Sequence, residues 1–154
     1  MSIDYQLHHT AVVVQDLQRS TAFYEQHFGG VVETVIPDID DPEVAALHQL
    51  PATRFTITFV RFGLTRLELL RFDEPADARD LERRANDYGL AHICFQCADV
   101  KGAYDRLTAA GVRFTGPPHV VPEGDGAGTV LVFCHDPDGN TIELFQAPTP
   151  TPGR

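Results

Sequence analysis

No stretch of this chain stays apolar for the roughly 18 residues that a membrane-spanning helix needs, so no such helix and no membrane partner is expected. Its first residues, MSIDYQLHH, hold neither a basic segment nor an apolar one. A secretory leader is therefore not expected, and the cytoplasm is the default location. Cations are scarce: 12 Lys and Arg stand against 22 Asp and Glu, a formal charge of −10. No cation cluster is present to track a phosphate backbone, which argues against a nucleic-acid partner. Cysteines are few and odd in number. Cys94, Cys97 and Cys134 cannot make an even disulfide framework. Cys94 and Cys97 form a C-x-x-C, yet they fall in one expected strand, where residues three apart point to opposite faces. Both read as small core residues rather than as a metal or redox pair.

What is present is a repeat. The 154 residues, 43% hydrophobic, suffice for one domain with a core or for two small modules sharing one. LHHTAVVVQDL (7–17) is echoed by LAHICFQCADV (90–100). In each, a histidine stands seven residues before an aspartate: His9 before Asp16, His92 before Asp99. The pattern predicts a strand over 7–14, a helix over 16–28 capped by Asp16, and Gly29-Gly30 at its end. The second half predicts a strand over 91–97, a helix over 99–110 capped by Asp99, and Gly111. Further strands are expected at 31–36, 54–62 and 65–72, with a hairpin turn near Gly63, and at 113–115, 129–135 and 141–146, with a turn over DPDGN (136–140). The fold class is α+β, each half reading β-α-β-β-β.

The organisation expected is a first module over 1–76, a linker helix over 77–90, a second module over 91–147 and a loose tail over 148–154. Residues 37–53 read as an insertion with a short helix after Pro42. Residues 117–128, rich in Gly and Pro, read as a loop able to act as a lid.

Four polar residues interrupt the apolar strands. His9 falls on His92 in the repeat, and Glu68 of LELLRF falls on Glu143 of IELFQA. Strand alternation puts Cys94 and Gln96 with His92, and Ile93 and Phe95 on the other face. Taken singly, such a histidine reads as hydrogen-bonded or exposed, and such a glutamate as solvated or paired with Arg66 or Arg71. The duplication changes this reading. Two imidazoles and two carboxylates at matching points suit one divalent cation, which removes the cost of placing carboxylates among apolar side chains. His8 is expected to point away from His9, His135 to lie at the surface and His119 to sit in the lid. Arg66, on the face of Glu68, is a candidate contact for an anionic substrate.

With H-x6-D twice, the LELL and IELF strands and FCHDPDGNTIELFQ (133–146), the chain resembles the vicinal oxygen chelate superfamily over about residues 7–147. That group includes glyoxalase I, methylmalonyl-CoA epimerase, extradiol dioxygenases and the fosfomycin- and bleomycin-resistance proteins. The resemblance implies two βαβββ modules forming a curved mixed sheet around a cavity. It also implies a homodimer, and one divalent ion (Zn, Ni, Co, Mn or Fe) held by His9, Glu68, His92 and Glu143.

The reaction implied is that of an isomerase, epimerase or lyase acting on a small carbonyl substrate by proton transfer through a metal-stabilised enolate. Glu143 is the expected base and Glu68 the opposing acid/base. The complete His/Glu/His/Glu set is similar to glyoxalase I. The 37–53 insertion and the LELL strand are closer to methylmalonyl-CoA epimerase, which commonly has Gln where Glu68 stands. Two alternatives are a resistance-type protein that sequesters an antibiotic or metabolite without chemistry, and an extradiol-type dioxygenase using three of the four ligands.

Overall fold

The structure, a computed structural model, describes residues 5–79 and 84–148. They fall into two compact units divided between residues 82 and 83. The first unit runs β1 (Thr10–Val13), α1 (Leu17–Phe28), β2 (Val31–Ile39), α2 (Pro42–Leu47), β3 (Arg54–Phe62) and β4 (Thr65–Glu74). The second runs β5 (Ile93–Gln96), α3 (Val100–Ala109), β6 (His119–Val120), β7 (Val130–His135) and β8 (Thr141–Gln146). Each unit carries its own four-stranded mixed sheet, ordered β1-β4-β3-β2 and β5-β8-β7-β6. The α+β fold of paired βαβββ modules is thus the fold observed.

The two modules agree down to single residues. β1 runs parallel to β4 with Ala11 opposite Glu68, and β5 runs parallel to β8 with Cys94 opposite Glu143. Just past each short strand one more bond continues the pairing: Val14 N–H donates to Leu70 O at 2.8 Å, and Cys97 N–H to Phe145 O at 2.9 Å. The Asp16 carboxylate accepts from Arg19 N–H at 3.0 Å and the Asp99 carboxylate from Gly102 N–H at 2.9 Å. Both aspartates are therefore helix caps, satisfying N–H groups that a first turn leaves bare. Gly29 (φ 69°) ends α1 in the left-handed conformation, while α3 ends at Ala110 and leaves that conformation to Gly111 (φ 85°).

Alternation along the strands gives each sheet a face covered by its helix and a more open one, although Phe55, Glu68 and Leu70 are buried on the latter in the first sheet. Val12, Leu67, Leu69 and Val60 are buried in the first module, with Tyr24 of α1 fully enclosed. Ile142, Leu144, Val132 and Cys134 are buried in the second, with Leu107 of α3. Each such large apolar side chain contributes about 1.5–3 kcal/mol by leaving water. The remaining face of each sheet carries the glutamate.

Several expected elements differ. The strand over 113–115 is reduced to a single bridge, Phe114 to Cys134, and the neighbouring strand forms later, at His119–Val120. Residues 117–128 are therefore not all loop. Val121 N–H donates to Thr129 O and Gly128 N–H to Val121 O, both at 2.9 Å. The linker helix falls partly on 80–83, outside the described residues; the flanking 77–79 and 84–90 are coil and turns. The tail beyond residue 148 also lies outside them. Among the described residues no helix is long and apolar enough to cross a membrane.

Candidate functional site

Glu68 sits inside β4 and Glu143 inside β8, each on the open face of its sheet. His9 Nε2 stands 3.3 Å from Glu68 Oε2, and His92 Nε2 stands 2.9 Å from Glu143 Oε2. Side-chain exposures are 36% and 12% in the first pair and 37% and 14% in the second. The environments are therefore near copies: a half-open imidazole over a mostly covered carboxylate. An aromatic ring completes each group. Phe59 lies opposite Glu68 on β3, and Phe133 lies opposite Glu143 on β7. Their ring centroids stand 5.5 Å from His9 and 5.6 Å from His92, both edge-on. The sequence did not single out these phenylalanines. Phe59 precedes its glutamate by nine residues and Phe133 by ten, because the pair stands three positions from the two-residue turn Gly63-Leu64 in the first hairpin and two positions from the five-residue DPDGN in the second.

The four expected ligands are brought together as two pairs, one in each module. Among the described residues no group of three or more His, Cys, Asp or Glu side chains is placed to hold a metal ion. Each pair nonetheless fits two adjacent positions of a coordination sphere. Donors about 2.1 Å from a common ion stand about 3.0 Å apart at an octahedral right angle and about 3.4 Å apart at a tetrahedral one. The observed 2.9 and 3.3 Å match these separations. The donor types, imidazole nitrogen and carboxylate oxygen, suit a first-row divalent ion. A carboxylate this covered also favours a compensating cation.

The surroundings of the two pairs are not copies. Beside Glu68, Glu33 accepts a two-point bond from Arg66, with Arg61 3.8 Å away. The Arg66 hydrogen bond above all holds the Glu33 carboxyl below the usual carboxylate range. Arg66, expected as a substrate contact, is thus committed to Glu33. Farther along the same face, α2 brings His48 against Phe55 and Phe72, whose rings stack at 5.0 Å. The insertion therefore covers one end of that face.

In the second module, Cys94 neighbours Glu143. It is exposed rather than a core residue, and its thiol is pushed up to about 11, by desolvation first and then by the charge and hydrogen bond of Glu143. Cys97 is half-buried, its thiol also raised, chiefly by desolvation; Cys134 alone is fully buried. His119, on β6 opposite Leu131, shares the Glu143 face at its edge. His135, expected at the surface, is half-buried, and its Nδ1 has no partner among the described residues. The DPDGN turn is structural: buried Asp136 accepts from Asp138 N–H, Asn140 N–H and Asn140 Nδ2 at 2.8–2.9 Å.

His8 departs most from expectation. Its Nδ1 stands 2.8 Å from Nδ1 of His9, and its ring also meets Phe59. The alternation that would have sent it to the other face does not apply, because the strand begins only at Thr10.

Comparison with known proteins agrees with this architecture. The chain is 31% identical over 150 residues to a 2-epi-5-epi-valiolone epimerase from Actinomyces sp, covering 95% of this chain and 81% of the relative. It is 29% identical over 143 residues to an ethylmalonyl-CoA/methylmalonyl-CoA epimerase from Cereibacter sphaeroides, covering 91% and 96%. A solved glyoxalase family protein from Bacillus cereus shares the fold with a TM-score of 0.80 at 21% identity, covering 96% of this chain and 97% of that one. The family model of the Glyoxalase/Bleomycin resistance protein/Dioxygenase superfamily matches residues 6–144, and the chain belongs to that superfamily.

Proposed function

We propose that the chain is a metal-dependent isomerase, an epimerase in preference to a lyase, that moves a proton at a carbon beside a carbonyl of a small oxygenated substrate. The observation that carries this reading is the duplicated contact: His9 with Glu68 at 3.3 Å and His92 with Glu143 at 2.9 Å, at the same sheet register. The four side chains are read as ligands of one divalent ion, in a working assembly of two copies of the chain. When bound, the ion supplies Lewis acidity to the substrate carbonyl.

Glu143 takes the proton from the carbon and Glu68 returns one. Inversion at carbon needs two such groups, and two carboxylates from separate modules supply them. In each pair Oε2 is the oxygen turned to the imidazole and would share the ion with it, leaving Oε1 of Glu143 to accept the proton and Oε1 of Glu68, protonated beforehand, to give one. Phe59 and Phe133 give each pair an apolar wall, which strengthens its electrostatic interactions by keeping water away. The names of the relatives, two epimerases, support this choice within the superfamily.

The test is solvent-deuterium wash-in. Protein loaded with Mn²⁺ or Zn²⁺ is held in D₂O with methylmalonyl-CoA and, separately, with 2-epi-5-epi-valiolone. Label at the inverted carbon of one of them, abolished by a chelator and restored by the ion, is the expected result. Tight binding with no label would favour sequestration, and Fe²⁺-dependent O₂ uptake with a catechol would favour the dioxygenase reading.

A further inference from the structure

His8 and His9 share one hydrogen. At 2.8 Å their Nδ1 atoms can be neither two bare lone pairs nor two N–H groups, so one ring donates and the other accepts. That choice sets what His9 presents on its far side, where Nε2 faces Glu68 Oε2. If His9 Nδ1 accepts from His8, a neutral His9 carries its hydrogen on Nε2 and offers it to Glu68. If a neutral His9 donates from Nδ1 to His8, its Nε2 holds a bare lone pair, the form a metal ligand requires. A bare lone pair against a carboxylate is unfavourable until a cation lies between them, so the second state belongs to the loaded site.

We propose that His8 is a positioning residue for His9: it is the hydrogen-bond acceptor that fixes His9 in its ligand tautomer when a divalent cation binds. This rests on the metal reading above. The exchange balances without net proton release. His8 Nδ1 gives its hydrogen to His9 Nδ1 as His9 Nε2 gives one to water and water returns one to His8 Nε2; both rings are neutral before and after. Phe59 holds the arrangement, its ring centroid 6.2 Å from that of His8 and 5.5 Å from that of His9. The second module has Ala91 at the repeat position of His8, so the device serves one ligand of the two.

The experiment is Zn²⁺ titration calorimetry of the full chain, wild type against His8→Ala and His8→Asn, with ¹⁵N spectra of the histidine rings in the Zn²⁺-loaded state. His8→Ala weakens Zn²⁺ binding by about 10- to 100-fold, the usual cost of removing such a partner. It also lets the His9 Nδ1 hydrogen exchange faster with water. Because His8 is exposed, the melting temperature stays put. His8→Asn, whose Oδ1 takes about the place of Nδ1, recovers most of the affinity. Unchanged affinity and exchange in His8→Ala, in a wild type that binds Zn²⁺, overturn this role alone. A wild type that binds no divalent ion overturns the metal reading, and the role of His8 with it.

Discussion

On the open face of the first module, around Glu68, stand Arg61, Arg66 and Glu33; at the same repeat positions the second module has His135, Thr141 and Thr115. Ala11 of the first is Cys94 of the second, and His8 of the first is Ala91. Against this divergence, the His–Glu–Phe group recurs with the same register, the same edge-on ring and nearly the same exposures. Covered helix positions also recur: Tyr24 and Leu107 are repeat partners, exposed 0% and 1%. Two kinds of demand therefore act on both sheets alike, a core on one face and a His–Glu pair on the other. The remainder of each open face is free to differ.

The comparison can be broken most sharply at the carboxylates. If Glu143 and Glu68 divide proton removal and return, Glu143→Gln lowers turnover by roughly 100- to 10,000-fold while substrate still binds. Glu68→Gln should do likewise for inversion, and single-turnover rates would separate the two steps. Full activity in Glu143→Gln would remove its role. The next effect lies in the core. Tyr24→Ala and Leu107→Ala should each cost about 2–5 kcal/mol in urea unfolding, since both side chains are enclosed in corresponding places. A cost confined to one module would show that the packing is less alike than the exposures are. Smaller again, Phe59→Leu and Phe133→Leu should cost about 0.5–1.5 kcal/mol each by losing the edge-on contact with His9 and His92. Unequal losses there would separate the two sites.

A separate effect concerns alkaline pH. Burial first, and then the charge of Asp136, push the Cys134 thiol from 9.0 up to about 12. The folded chain therefore holds that proton more tightly than the unfolded one. The resulting stability is complete below pH 9 and is lost as pH rises from 9 towards 12. Cys134→Ala should lower the urea midpoint at pH 8 yet lose less between pH 8 and 10.5 than wild type does. An equal loss would contradict the assignment.

Much of this was legible in the sequence because it is periodic. Apolar alternation marked β1 and β5, Asp16 and Asp99 announced the helix caps, the H-x6-D repeat aligned His9 with His92, and the LELLRF and IELFQA strands aligned Glu68 with Glu143. Pro42 announced α2. What alternation could not reach lay outside regular strands or depended on tertiary pairing. His8 lies before the strand begins, so parity misplaced it. Phe59 and Phe133 are hidden by hairpins of different length. The strand over 113–115 shortens to the bridge of Phe114 to Cys134, and pairing with the start of β7 falls to His119 and Val120 farther along the chain. Cys94 was read as a small core residue by its type, whereas alternation had placed it with His92, and it is exposed there.

The central claim is that each module supplies half of one ion's ligands. Its most direct test is the number of divalent ions bound per chain, counted by native mass spectrometry in wild type, in the His9→Ala/Glu68→Ala double variant and in the His92→Ala/Glu143→Ala double variant. The account predicts one ion per chain in wild type and none tightly bound in either variant. Two ions per wild-type chain, or one ion retained after loss of either pair, would contradict it.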